Sequence, residues 1–115
     1  MTDLYHHLTL FLREVQKKGE KALIVICGPT ASGKTSLSLA IAKHFDGEII
    51  SADSAQVYKK MNIGTDKVTV NERKQVKHHL IDIRNPDQNF TMADFKREAT
   101  QAIEDIHRRK KVPII

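Results

Sequence analysis

The chain has 115 residues, with 19 Lys plus Arg against 14 Asp plus Glu, a formal charge of +5 and a pI near 9.4. At 40% apolar and 29% charged residues it has the composition of one ordinary globular domain, which excludes collagenous, low-complexity and intrinsically disordered chains. A single cysteine, Cys27, excludes an internal disulfide framework and a Cys-rich zinc site, while the basic balance favours a polyanionic partner such as nucleic acid or a phosphorylated small molecule.

From Asp3 to Lys18 the apolar positions Leu4, Leu8, Phe11 or Leu12, and Val15 recur at three- to four-residue spacing, and Gly19 supplies a stop. This predicts an amphipathic helix, with residues 1–20 an N-terminal extension and 21–115 a partial α/β domain. Ala22 to Cys27 is an apolar run rich in branched residues and ended by Gly28-Pro29, the pattern of a strand buried on both faces. It is too short to span a membrane, and Met1 to Phe11 carries Asp3, His6 and His7 where a signal peptide would be basic and then apolar. No membrane association is therefore expected, the lone thiol points to a reducing compartment, taken as the cytoplasm, and a monomer is expected.

Lys34 to Phe45 is helical by pattern, with Leu37, Ala40, Ile41 and His44 on one side and Asp46-Gly47 as terminator. Glu48 to Ser51 reads as a second strand. Ser54 to Met61 fits a brief helix before the Asn62-Ile63-Gly64-Thr65 turn, and Thr69 with Glu72 fits a capping box opening a helix through about Lys77. His79 to Ile83 reads as a third strand, and the loop Asn85 to Asn89 is rich in turn residues. Thr91 with Asp94 marks a further helix start, followed by the apolar stripe Phe95, Ala99, Ala102 or Ile103, and Ile106. Val112 to Ile115 begins another strand. Strands alternating with helices predict a parallel α/β sheet with right-handed crossovers. A fresh strand with nothing after it suggests part of a longer protein.

Gly28-Pro29-Thr30-Ala31-Ser32-Gly33-Lys34-Thr35 matches G-x-x-x-x-G-K-S/T between a predicted strand and a predicted helix, the context that a phosphate-binding loop requires. Gly28 and Gly33 let the backbone wrap closely, so that amide N–H groups point at phosphate oxygens with a helix N-terminus behind them. Lys34 adds a full positive charge, and Thr35 carries the hydroxyl that completes a Mg²⁺ shell. Nucleotide hydrolysis, kinase chemistry on ATP and diphosphate displacement all need such a cradle.

Ser51-Ala52-Asp53-Ser54-Ala55-Gln56-Val57-Tyr58 follows the second strand, where open α/β sheets place their ligand crevice. A carboxylate at Asp53 suits a general base or a Mg²⁺ ligand, and Gln56 suits a hydrogen bond to an adenine edge. The plainer alternative makes Asp53 a helix N-cap and leaves Gln56 solvated.

GPTASGKT, then EIISADSAQVY, MNIGTDK and HHLIDI, resemble in order the N-terminal part of the tRNA dimethylallyltransferases, also called tRNA isopentenyltransferases, which are P-loop NTPase-like α/β enzymes. The resemblance runs from about Ala22 to the chain end. It implies transfer of a dimethylallyl group from dimethylallyl diphosphate to the exocyclic amine of the adenosine beside a tRNA anticodon, with release of diphosphate and use of Mg²⁺. By position it implies diphosphate binding by the loop from Thr30 to Thr35, a general base at Asp53, and contact of Asp53, Ser54, Ala55 and Gln56 with the tRNA anticodon loop. Lys34 and Thr35 would help the leaving group depart. Ala55 stands where many relatives carry Met, Lys60 where Gly is common, and Lys77 where Pro is frequent. The resemblance also implies a Gly-Gly-Thr-Gly motif after Ile115, a helical tRNA-gripping insertion and a later arginine, and the isolated chain is expected to be inactive. The rival readings are a P-loop small-molecule kinase using ATP, an adenylate isopentenyltransferase acting on free nucleotide, and a phosphate- or RNA-binding module without turnover.

His78-His79 invites a metal, but neighbours on a strand face opposite ways and no second cluster has ligand spacing. Arg108-Arg109-Lys110-Lys111 complements a helix dipole, with RNA contact as the alternative. Lys59, Lys60, Lys67, Arg73, Lys74 and Lys77 lie where an RNA backbone would pass beyond Gln56.

Overall fold

The computed structural model describes residues 2–26, 34–52, 70–81, 83–85 and 87–115. Among them the elements are α1 (Thr2–Lys17), α2 (Lys34–Phe45), β1 (Gly47–Ile50), α3 (Val70–Gln75), β2 (His78–His79), α4 (Met92–Arg108) and β3 (Val112–Ile114). The strands form a parallel sheet in the order β2-β1-β3, with Ile49 opposite both His78 and Ile114. The segment before the glycine motif joins the far side of β3 through a parallel bridge between Ile24 and Ile114. The parallel sheet flanked by helices agrees with the expected fold class.

Alternation along β1 assigns its two faces. Ile49 packs with Ile24, Ile41, Ala42, Val76 and Ile114, a core on which Tyr5 and Leu8 of α1 also rest. Ile50, on the other face, packs with Leu80, Ala99, Ala102 and Ile106, so the stripe read from the α4 sequence is the stripe that is buried. Ile41, Ile50, Ile106 and Ile114 are almost fully enclosed, and burial of each such side chain contributes about 1.5–3 kcal/mol. Gly47 permits the close approach of β1 and β3: a Cβ there would lie 2.8 Å from the Val112 carbonyl oxygen and 2.9 Å from Ile114 Cδ1.

Local chemistry sets the boundaries. Thr91 accepts from the Asp94 amide while the Asp94 carboxylate accepts from the Thr91 amide, the reciprocal box that starts α4. Thr69 of the cap expected with Glu72 lies outside the described residues, as do the helix expected over Ser54 to Met61 and the Asn62 to Thr65 turn. Gly19, at φ 71°, closes α1 in the left-handed conformation that glycine adopts without strain.

Three expectations change. The first strand was expected to be buried on both faces, but Leu23 and Val25 are 40% and 57% exposed while Ala22 and Ile24 are buried. Among the described residues the segment pairs with β3 alone, and no described element covers its second face. The third strand ends at His79 instead of Ile83, because Leu80 takes φ 66° and turns the chain out of the ladder. That conformation costs a non-glycine residue about 1–3 kcal/mol and is held by burial of the Leu80 side chain. His44, expected on the same side of α2 as the buried Ile41, is exposed, with its ring stacked on Tyr5 at 4.3 Å.

Pro113 sits inside the sheet, an unusual place for a residue without an N–H. Ile24 donates to the Pro113 carbonyl and Ile115 donates to the Ile24 carbonyl, so the next rung would run from residue 113 to the Ala22 carbonyl. Proline cannot supply that rung. The His107 ring does, through Nε2 at 2.7 Å from the Ala22 oxygen, which fixes Nε2 as the protonated nitrogen.

Candidate functional site

Because all the strands are parallel, the chain leaves Ile26, Ile50 and His79 from the same edge of the sheet. That carboxyl edge is where α/β sheets hold their ligands, and both sequence motifs start from it. Gly28, Pro29, Thr30, Ala31, Ser32 and Gly33 lie outside the described residues. Lys34 is the first residue of α2 and Thr35 the second, so the motif ends on a helix N-terminus whose first amides have no intrahelical acceptor. The first turn of α2 carries no acidic residue, so no carboxylate of that turn offsets the positive end of the helix field.

On β1, one strand removed from that segment across β3, the Ser51 amide donates to the His79 carbonyl at 3.0 Å, extending the ladder one residue past β1. Ser51 is buried and Ala52 is exposed at the edge. Asp53, Ser54, Ala55 and Gln56 come next and lie outside the described residues, as do Cys27, Lys59, Lys60 and Lys67. Arg73, Lys74 and Lys77 are exposed.

β1 is anchored by a buried charge that the sequence reading missed. Glu48 is 3% exposed on the α4 face. Arg109 donates to both of its carboxylate oxygens, with Nη2 at 2.8 Å from Oε1, and also reaches Asp105 at 2.7 Å. His79 Nε2 donates to Glu48 Oε1 at 2.7 Å. His79 stands opposite Ile50 in the register and so shares the face of Glu48. Burial alone would raise the Glu48 pKa, but the hydrogen bonds and charges of Arg109 and His79 outweigh it and hold the carboxyl below its ordinary range. The Glu48 and Asp105 carboxylates in turn hold Arg109 further toward its charged form. A glutamate in a strand of a sheet flanked by helices was the available signal, since a buried charge needs a partner. His78 Nδ1 donates to the Val76 carbonyl at 2.8 Å, so this pair of rings is engaged in tying β2 to its surroundings.

Asp94 is also held low, first by the Thr91 amide and then by Arg97, and Asp105 is held low chiefly by Arg109. Groups with depressed folded pKa values contribute stability above the unfolded value and lose it as pH falls through the folded value. The urea midpoint is therefore expected to be level near neutrality and to fall below about pH 4, where unfolded carboxylates take up protons. A midpoint that rises on acidification would contradict these three assignments.

The model of the IPP transferase family matches residues 56–115, more than half of the chain. The chain belongs to the IPP transferase family. It is 59% identical over 98 residues to the tRNA dimethylallyltransferase of Staphylococcus aureus strain JH9, an alignment that covers 85% of this chain and 32% of that protein. Its structure resembles the tRNA delta(2)-isopentenylpyrophosphate transferase of Staphylococcus epidermidis with a TM-score of 0.79 at 57% identity, covering 84% of this chain and 32% of that one. The full-length tRNA isopentenylpyrophosphate transferase of Bacillus halodurans gives the same TM-score at 49% identity, covering 83% and 31%. The chain thus spans about a third of the length of the relatives it matches. Within this IPP transferase segment, the described structure supplies the P-loop-like strand-to-helix frame and the β1 edge from which the Asp53 segment leaves.

Proposed function

We propose that the chain supplies the diphosphate-binding part of a tRNA dimethylallyltransferase. The observation that carries the reading is a G-x-x-x-x-G-K-T motif flanked by a strand segment paired to β3 and by the N-terminus of α2, with β1, the strand that leads to Asp53, ending at the same edge of the sheet. In this reading the backbone from Gly28 to Gly33 and the Lys34 ammonium hold the diphosphate of dimethylallyl diphosphate. The exocyclic amine of adenosine attacks the allylic carbon, the carbon–oxygen bond to diphosphate breaks, and Asp53 accepts the proton that the amine loses. Stabilising the departing diphosphate is the main electrostatic task, because the allylic carbon leaves readily once that charge is held. Mg²⁺ neutralises diphosphate charge when bound, and Thr35, in the first turn of α2, is the residue that would hold it.

Asp53, Ser54, Ala55 and Gln56 would meet the anticodon loop, where an unpaired adenosine is extracted at less cost than from a duplex. Tight phosphate recognition with RNA approaching from the same edge suits a basic chain.

Calorimetric titration with Mg²⁺ plus dimethylallyl diphosphate, and then with Mg²⁺-ATP at the same salt, tests the reading. The allylic diphosphate is expected to bind more tightly, Lys34→Ala to weaken that binding, and Asp53→Ala to preserve it. Preference for ATP would move the assignment to a P-loop kinase. In a protein of the relatives' full length, Asp53→Ala is expected to abolish alkyl transfer, and full transfer by that variant would exclude Asp53 as the base.

A further inference from the structure

At the edge of the sheet opposite the candidate site, where the strands begin, a groove of about 700 Å³ opens between the last turns of α1 and α4. Its floor is Leu12, Val15, Ala22 and Val112, and Lys21 and Lys110 stand on its rim. Basic residues at helix ends ordinarily answer free carbonyls, but both helices here close on backbone. The Glu20 amide donates to the Val15 carbonyl and the Gly19 amide to Gln16. The Lys111 amide donates to Ile106 and the Lys110 amide to His107 in the same way.

The two caps differ in one residue. Where α1 uses Gly19, α4 places Lys110 at φ 62°, a left-handed conformation that glycine would adopt without strain. The sequence thus keeps a cation on the groove rim in spite of its backbone. Lys111 is tied to Asp46 at 2.6 Å, and among the described residues Lys21 and Lys110 make no ion pair. Glu20 is the acidic residue of the lining, so the groove stays positive.

We propose that this groove is a second RNA contact, in which Lys21 and Lys110 meet backbone phosphates of the RNA whose loop enters the opposite edge. The inference rests on the reading that the chain acts on RNA. Charge complementarity selects the occupant, and the lysine stems with the apolar floor suit the sugar faces between phosphates. The distance is short for such a partner: β1 has four residues, and at about 3.3 Å each the two edges lie only about 13 Å apart. An RNA hairpin stem extends well beyond that.

The test is fluorescence anisotropy with a labelled RNA hairpin across a salt series, comparing the wild-type chain with the double variant Lys21→Gln, Lys110→Gly. Glycine suits the backbone at position 110 and Lys21 is exposed, so weaker binding by this variant does not come from unfolding. Affinity is expected to fall about tenfold, and the slope of log K against log salt to lose about 1–2 units, one for each phosphate contact removed. Lys110→Arg is expected to keep the wild-type slope. An unchanged slope in the double variant, displacement of the RNA by poly-glutamate at equal charge concentration, or absence of RNA binding by the wild-type chain would each overturn the proposal. Calorimetry with dimethylallyl diphosphate separates the two readings: the double variant is expected to bind it normally, whereas a wild-type chain that does not bind it counts against the transferase reading itself.

Discussion

Replacing Arg109 with methionine is expected to lower the folding free energy by about 3 kcal/mol at neutral pH, the low end of the range for breaking a buried ion pair because the arginine is itself partly exposed. The Glu48 side chain is 5% exposed against 33% for Arg109, so the substitution removes the partner that reaches solvent and strands the one that does not. Methionine keeps much of the apolar stem, which confines the loss to the guanidinium. Glu48 would retain only the His79 hydrogen bond, and burial would then push its carboxyl upward instead of being outweighed. The deficit relative to wild type is accordingly expected to shrink as pH falls, because a protonated Glu48 no longer requires a countercharge. Urea denaturation of both proteins at neutral and mildly acidic pH reads both effects. Adding Glu48→Leu to Arg109→Met is expected to recover most of the stability, since replacing a whole buried pair with apolar residues is often neutral. A deficit below about 1 kcal/mol, the scale of surface pairs, would show that Glu48 is better hydrated than its surroundings indicate.

The parts legible in the sequence are those governed by local chemistry. The α2 boundaries follow from the Lys34 to Phe45 periodicity and its Asp46-Gly47 stop, and the α4 start follows from the spacing of Thr91 and Asp94. The buried stripe of α4 is equally plain, because a helical period places Ala99, Ala102 and Ile106 on one face regardless of what covers them. Less legible was anything decided by distant contacts. An apolar run from Ala22 to Ile26 does not say whether its strand lies inside the sheet or at its margin, and the exposure of Leu23 and Val25 depends on strand order. The end of β2 depends on one strained residue, Leu80, that no turn signal marks. For the site, the frame was legible: an apolar strand run, a glycine motif and a helix beginning at Lys34. The Glu48–Arg109 anchor was not, because its partners lie 61 positions apart and only the crossing of α4 behind β1 brings them together.

The pairing of His107 with Ala22 leads to a double-mutant prediction of a different kind. His107→Ala is expected to cost about 1–3 kcal/mol, the penalty for leaving a buried carbonyl without a donor. Ala22 is 9% exposed and its carbonyl faces a proline, so no neighbouring backbone group replaces the lost ring. Pro113→Val should supply the missing donor, because the register already places residue 113 where its N–H would point at the Ala22 oxygen. In the wild-type background that change has little to offer: the carbonyl is already satisfied, and loss of proline raises unfolded-chain entropy by about 0.4–1 kcal/mol. In the His107→Ala background it is expected to recover a large part of the loss. The two substitutions should therefore be non-additive by at least about 1 kcal/mol in the stabilising direction, read from urea midpoints of the four proteins of the cycle. Strict additivity would mean that the ring and the missing N–H do not serve the same oxygen. Non-additivity would identify His107 as the donor that lets a proline occupy a central strand, joining α4 to the segment that leads into the glycine motif.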